Sequence, residues 1–179
     1  SSLVEEAKIQ RPRGANGLEG IVTTPKRVKA SMAYSAKPSS RAEEEIAGYR
    51  DVLSLIHEQH DSIPVTPSVI LQLHRDLMAH TAISYGGHWK DSDNEIVSID
   101  DQGNRFVRFR PPSALATPGL IKEACQSLND ALSRQVCDPL LISFRFIFDF
   151  VSIHPFNDGN GRMSLLLTTL LLEKTGYDV

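Results

Sequence analysis

Two strongly apolar stretches, Leu140–Ile153 and Met163–Leu172, stand nine residues apart, with Arg145 and Asp149 as the only charges inside them. Each falls short of the roughly 20 apolar residues that a membrane-spanning helix requires. Both must therefore find burial inside a protein core. Asp138-Pro139 opens the first as N-cap and N1. Its residues Leu140, Leu141, Phe144, Ile147, Phe148 and Val151 cover so wide an arc that the helix is expected to be nearly surrounded by other helices. It should stop at His154, because the residue before Pro155 is disfavoured in the α region. The second stretch predicts a helix from Met163 to Glu173, ending near Gly176.

The rest of the chain must supply the helices that bury these two. Ser40 with Glu43 three residues on forms a capping box, and Ile46, Tyr49, Leu53 and Ile56 make one apolar stripe. Thr66-Pro67 starts a second helix with Val69, Ile70, Leu73 and Leu77 on its inner face. Thr117-Pro118 starts another in the same way, running to about Val136. Between them, Ile96–Ile99 and Phe106–Phe109 flank Asp100-Asp-Gln-Gly-Asn104, a hairpin pattern. The expected class is mostly α with one β-hairpin. Residues 1–39 differ in character, with Arg11-Pro-Arg-Gly14 and Thr24-Pro-Lys-Arg27, and read as an arm over a domain spanning 40–179.

The 179 residues suffice for one domain with a real core, and 19 Lys+Arg against 22 Asp+Glu leave a net charge of −3. That balance argues against a general nucleic-acid binder, which needs a lysine- and arginine-rich face. Two cysteines are too few for a disulfide framework, and with no signal or membrane segment in view the expected location is cytoplasmic.

The loop between the apolar helices carries the chemistry. Gly159 and Gly161 allow close backbone approach at a helix N-terminus, whose N–H groups and dipole favour an anion such as phosphate. Arg162 adds a forked cation for phosphate oxygens. Asp158 offers the hard oxygen that Mg²⁺ takes alongside substrate phosphates. His154 is the group able to accept a proton near neutral pH. Together they describe phosphoryl or nucleotidyl transfer, set against the plainer reading of an ordinary Asp-Gly-Asn-Gly turn and a capping histidine. Phe156 reads as a core anchor, and His74 and His80 as packing or surface groups. His57 and His60, at i and i+3, lack a third ligand at suitable spacing and read as solvated.

His154-Pro-Phe-Asn-Asp-Gly-Asn-Gly-Arg162 resembles the signature of the Fic family, H-x-F-x-[D/E]-G-N-G-R-x-x-R, through its first nine positions. Leu73-His74, Gly86-Gly-His-Trp-Lys90 and Arg110-Pro-Pro112 resemble the family's arrangement around it. The resemblance implies a Fic-type helical bundle with the hairpin as a flap over residues 40–179. It further implies transfer of AMP from ATP to a Ser, Thr or Tyr hydroxyl of a target protein. On that basis His154 would be the general base, Asp158 would hold Mg²⁺, and Gly159, Asn160, Gly161 and Arg162 would form the anion hole. Ile96, Val97, Ser98 and Ile99 of the flap would align the target segment by strand pairing. ATP and an unidentified protein are then the expected partners, without membrane or nucleic acid, and a homodimer is carried by the resemblance alone.

Two departures keep alternatives open. The signature's last arginine falls at Leu165, removing the cation that in the family meets the γ-phosphate. Residues 15–20, Ala15-Asn-Gly-Leu-Glu-Gly20, resemble the family's inhibitory helix with Ala15 in place of the hydroxyl residue, making Glu19 the regulatory candidate. Removal of AMP from a target, transfer from another phosphate-containing donor, and a degenerate Fic domain acting as a binding module therefore stand beside the transferase. The chain as a whole reads as a Fic core plus a regulatory arm, cut from a longer protein.

Overall fold

Helix starts in this chain are set by local polar chemistry. In the computed structural model, which describes residues 40–83 and 85–177, Ser40 Oγ accepts the Glu43 N–H at 3.3 Å and opens helix α1 (Arg41–Gln59). Thr66 Oγ1 accepts the Val69 N–H at 3.3 Å ahead of α2 (Pro67–Leu77). The expected stripe on α1, Ile46, Tyr49, Leu53 and Ile56, is fully buried, as are Ile70, Leu73 and Leu77 on α2. A hairpin follows, β1 (Ile96–Ile99) antiparallel to β2 (Arg105–Phe109). Asp100 Oδ1 closes its turn by accepting the N–H groups of Gln102 and Asn104. Val97 pairs with Val107 and Ile96 with Phe109, so Arg108 is an extra residue, a bulge at the hairpin base.

Helix α3 (Thr117–Arg134) corrects the expected cap. Ala116, not Thr117, is the N-cap, and the Thr117 hydroxyl instead donates to the Ser113 carbonyl at 3.0 Å. The Ser113 hydroxyl accepts the Ala116 N–H at 3.3 Å, so a turn one step earlier has taken over the capping. The helix ends at Arg134, with Gln135 in the left-handed conformation. Asp138 caps α4 (Pro139–Ile153) as expected, its Oδ1 accepting the Leu140 N–H at 2.8 Å. Helix α5 (Asn160–Lys174) begins three residues before the apolar run, because its first turn is polar and its N-cap is a glycine.

Contacts among the described helices run α1 to α2, α2 to α3, α3 to α4, α4 to α5 and α5 back to α1, a closed ring around one core. Helix α4 is not surrounded, contrary to the expectation from its composition. It buries Ile142, Phe146, Phe150 and Ile153 against α3 and α5, while Leu141, Phe144, Phe148 and Val151 stay exposed. Two neighbours cover only half of a helix circumference, and apolarity all round does not say which half. Arg145 and Asp149 pair at 2.9 Å on that outer side.

The two histidines read as solvated are engaged as well. His57 Nδ1 meets Glu173 Oε1 at 2.5 Å and His60 Nδ1 meets Oε2 at 3.2 Å, clasping the end of α5 to the end of α1. A carboxylate well over a hundred positions away in the chain is invisible to local spacing. The regulatory candidate Glu19 and the whole arm 1–39 lie outside the described residues. Among those described, no helix is long and apolar enough to cross a membrane.

Gly48 shows how closely α1 and α2 approach. A Cβ there would lie 2.0 Å from the Leu77 carbonyl oxygen, a backbone atom that cannot step aside. Glycine to alanine in a helix interior normally stabilises by about 1 kcal/mol. Gly48→Ala should do the reverse, costing about 2 kcal/mol or more through overpacking, read as a lowered urea midpoint. An unchanged or raised midpoint would contradict the close crossing.

Candidate active site

The six-residue loop 154–159 between α4 and α5 is held through four consecutive carbonyls. Ile153 O accepts from Lys90 Nζ at 3.0 Å, His154 O from Asn94 Nδ2 at 3.2 Å, Pro155 O from the Lys90 main-chain N–H at 2.8 Å, and Phe156 O from Asn94 Nδ2 at 3.3 Å. Lys90 is 3% exposed, and its ammonium completes three bonds through Asn94 Oδ1 and Pro112 O. One five-residue segment ahead of the hairpin thus braces the turn after α4 and ties it to the hairpin's far end. This bracing holds His154 in the left-handed region, φ 50°, which is uncommon for a residue with a Cβ.

The environment of His154 favours the neutral ring. Burial pushes its pKa below the ordinary histidine value, the Lys90 ammonium pushes the same way, and only the Val151 carbonyl opposes them. A neutral imidazole at pH 7 can accept a proton.

Below it, the loop is stacked and stapled. Phe156 is fully buried, its ring 3.7 Å from the His74 ring and nearly parallel, with Trp89 at 5.2 Å on a wider angle. His74 Nδ1 accepts the Gly87 N–H at 3.0 Å, so Nε2 carries the proton and donates to the Asp158 main-chain carbonyl at 3.0 Å. Burial lowers the His74 pKa to about 4, keeping it neutral. Asn160 spends its side chain internally: Oδ1 accepts the Phe156 N–H and Nδ2 donates to the Phe156 carbonyl. What Asn160 offers outward is its main-chain N–H at the start of α5. Gly159, φ 80°, makes the left-handed turn that points this helix start at the loop.

Charge is concentrated at one spot. Arg162 is fully buried, with Nη1 2.9 Å from Glu45 Oε2 and Nη2 3.5 Å from Asp158 Oδ1. Glu45 Oε1 accepts from Arg41 Nε at 2.8 Å, and Arg41 Nη2 reaches Asp158 Oδ2 at 3.3 Å. The four side chains alternate in sign around a ring that joins the first turns of α1 and α5. Tyr85 faces the same group: burial and the Asp158 charge raise its phenol pKa, and Arg41 and Arg162 oppose them.

The structure therefore brings His154, Asp158, Gly159, Asn160, Gly161 and Arg162 together at one end of the helix ring. The flap strand Ile96–Ile99 stands on the segment that braces them. Leu165 packs against the core and presents no cation. Sequence reasoning missed Arg41, Glu45, Tyr85 and Asn94. The first two were hidden in a helix whose stripe and cap looked purely structural; Lys90 stood in a quoted motif without a role.

Among the described residues, a closed ring of five helices, with a glycine-capped helix N-terminus next to a braced histidine and a two-stranded hairpin beside it, is the arrangement that defines this class of domain. Residues 64–172 match the Fic/DOC family, and the chain belongs to it. It is 27% identical over 124 residues to a Caenorhabditis elegans protein named protein adenylyltransferase fic-1, covering 69% of this chain and 22% of that one. A Nematostella vectensis relative named protein adenylyltransferase Fic is 25% identical over 183 residues, covering 97% of this chain and 39% of the relative. The chain thus spans well under half the length of these relatives. The fold agrees with a Fic domain containing signaling protein of Bacteroides thetaiotaomicron at TM-score 0.82 and 23% identity, covering 97% of this chain and 65% of that one. A Fic-1 fragment from C. elegans superposes at TM-score 0.74 and 21% identity, covering 98% of this chain and 50% of that one.

Lys90→Met removes the donor to three acceptors while keeping an apolar stem of similar length. Stranding buried carbonyls should cost about 3 kcal/mol, measured by urea unfolding. A loss under about 0.5 kcal/mol would show that the brace is not needed.

Proposed function

We propose that this chain is a Mg²⁺-dependent protein adenylyltransferase that moves AMP from ATP to a Ser, Thr or Tyr hydroxyl of a target protein. The observation that carries the reading is the juxtaposition of a neutral, rigidly held His154 with the positive end of α5. The relatives' names support adenylyl transfer as the reaction.

In this reading the α-phosphate sits at the N-terminus of α5. The main-chain N–H groups of Asn160 and Gly161 and the Arg162 guanidinium face the charge that develops there. His154 takes the proton from the target hydroxyl as its oxygen bonds to the α-phosphorus, and the bond to the bridging oxygen breaks, releasing pyrophosphate. The donor set suits Mg²⁺. Asp158 is a single, partly exposed carboxylate, and no group of three or more His, Cys, Asp or Glu among the described residues is placed to hold a metal without help. Asp158 would hold the ion together with the substrate's own phosphates, and the ion would supply charge neutralisation there. The hairpin, exposed along all of β2, offers main-chain groups at a sheet edge where a target segment can align against Ile96–Ile99.

A second reading, a nucleotide-binding module without transfer, draws on Leu165 and on the ion pairing of Arg162 with Glu45. Incubation with α-labelled ATP and Mg²⁺ separates the two. Transfer predicts labelled protein that falls at least a hundredfold in His154→Ala while ATP binding persists; the module predicts binding with no label in either form. Because the folded pKa of His154 is depressed, the neutral base survives acidification below the ordinary value of about 6.5. The acid limb of kcat/KM should therefore lie below pH 6.5, and a limb at or above 7 would remove His154 as the base.

A further inference from the structure

The signature's second arginine is absent from α5, yet the described structure places a second guanidinium at the same loop from another helix. We infer that Arg41, in the first turn of α1, serves as the second phosphate-binding cation of this site, recognising the terminal phosphates of a nucleoside triphosphate. This rests on the nucleotidyl-transfer reading above and assigns one more residue to it.

Three observations carry it. The Asp158 carboxylate lies between two forks, Oδ1 towards Arg162 and Oδ2 towards Arg41 at 3.3 Å, so a ligand gathered around Asp158 enters between both guanidiniums. Arg41 differs from Arg162 in accessibility: its side chain is 69% exposed where that of Arg162 is fully buried. An exposed fork can follow the outer phosphates, while the buried one faces the helix N-terminus. Charge supplies the third. Arg41, Glu45, Arg162 and Asp158 sum to zero, two cations against two carboxylates. Without Arg41 the group is left at −1 where a polyphosphate must bind.

Glu45 gives Arg41 its aim. The 2.8 Å bond to Nε fixes the middle of the guanidinium and turns Nη2 towards the loop. Leu165, packed against the core, supplies nothing in its place. Arginine suits the task because its planar fork meets phosphate oxygens in pairs.

Titration calorimetry of the whole chain with Mg²⁺-ATP and, separately, AMP tests the assignment. Arg41→Ala should weaken ATP about tenfold or more while AMP, which has no outer phosphates, keeps its affinity within about twofold. Arg41→Lys should fall between, and Leu165→Arg placed in the Arg41→Ala background should recover ATP affinity. Thermal melts establish that each variant is folded. Equal losses for ATP and AMP, or no loss for either, overturn the inference and leave the transferase reading intact. If the unaltered chain binds no ATP, both fall together.

Discussion

The buried pair of Arg162 and Glu45 is the contact on which the rest of the site depends. Taking two charges out of water is costly, and the cost is recovered only when geometry and further hydrogen bonds are good. Here a 2.9 Å approach fixes the first turn of α5 against the first turn of α1, elements 117 positions apart in the chain. With that pairing set, Asp158 and Arg41 complete the ring of charge, and the N-terminus of α5 has one orientation relative to the helix that faces it. An apolar pair could hold the helices together equally well, but it would leave no charge at the N-terminus of α5.

The loop above this pair is rigid for a different reason. His154 sits in a conformation that costs of order 1 kcal/mol or more for a residue with a Cβ. Four carbonyls in a row are claimed by Lys90 and Asn94, so the conformation is imposed from outside rather than chosen by the loop. Lys90 also anchors the far end of the hairpin through Pro112. His154 and the hairpin therefore share one support.

Where neighbours in sequence decide the structure, the sequence was readable. Ser40, Thr66 and Asp138 cap their helices because each acts on N–H groups two or three residues away. The stripe of α1 and the hairpin turn around Asp100 follow from equally local rules. Thr117 failed because its hydroxyl donates to the Ser113 carbonyl, four residues earlier, and the Ser113 hydroxyl accepts the Ala116 N–H, so the helix opens one residue sooner. The surroundings of α4 failed because composition reports how apolar a helix is but not which neighbours it has. His154, Asp158 and Arg162 stood out by chemistry and by the family signature. Glu45, Arg41 and the Glu173 clasp could not, since each draws its meaning from a partner that only the folded chain brings near.

One detail of Asp158 has a kinetic consequence. Its main-chain carbonyl is pinned by His74, and its carboxylate is held in two ways: Oδ1 accepts the Gly159 main-chain N–H at 2.7 Å beside the Arg162 pair, whereas Oδ2 meets the exposed Arg41. The residue therefore joins a fixed side, bonded to the main chain, to an exchangeable side, met by a surface arginine. On the proposed reading, a polyphosphate arriving on the Oδ2 side displaces a surface side chain, a rearrangement on the picosecond to nanosecond scale. On that reading, encounter by diffusion rather than reorganisation of the loop sets how fast this side of the site fills.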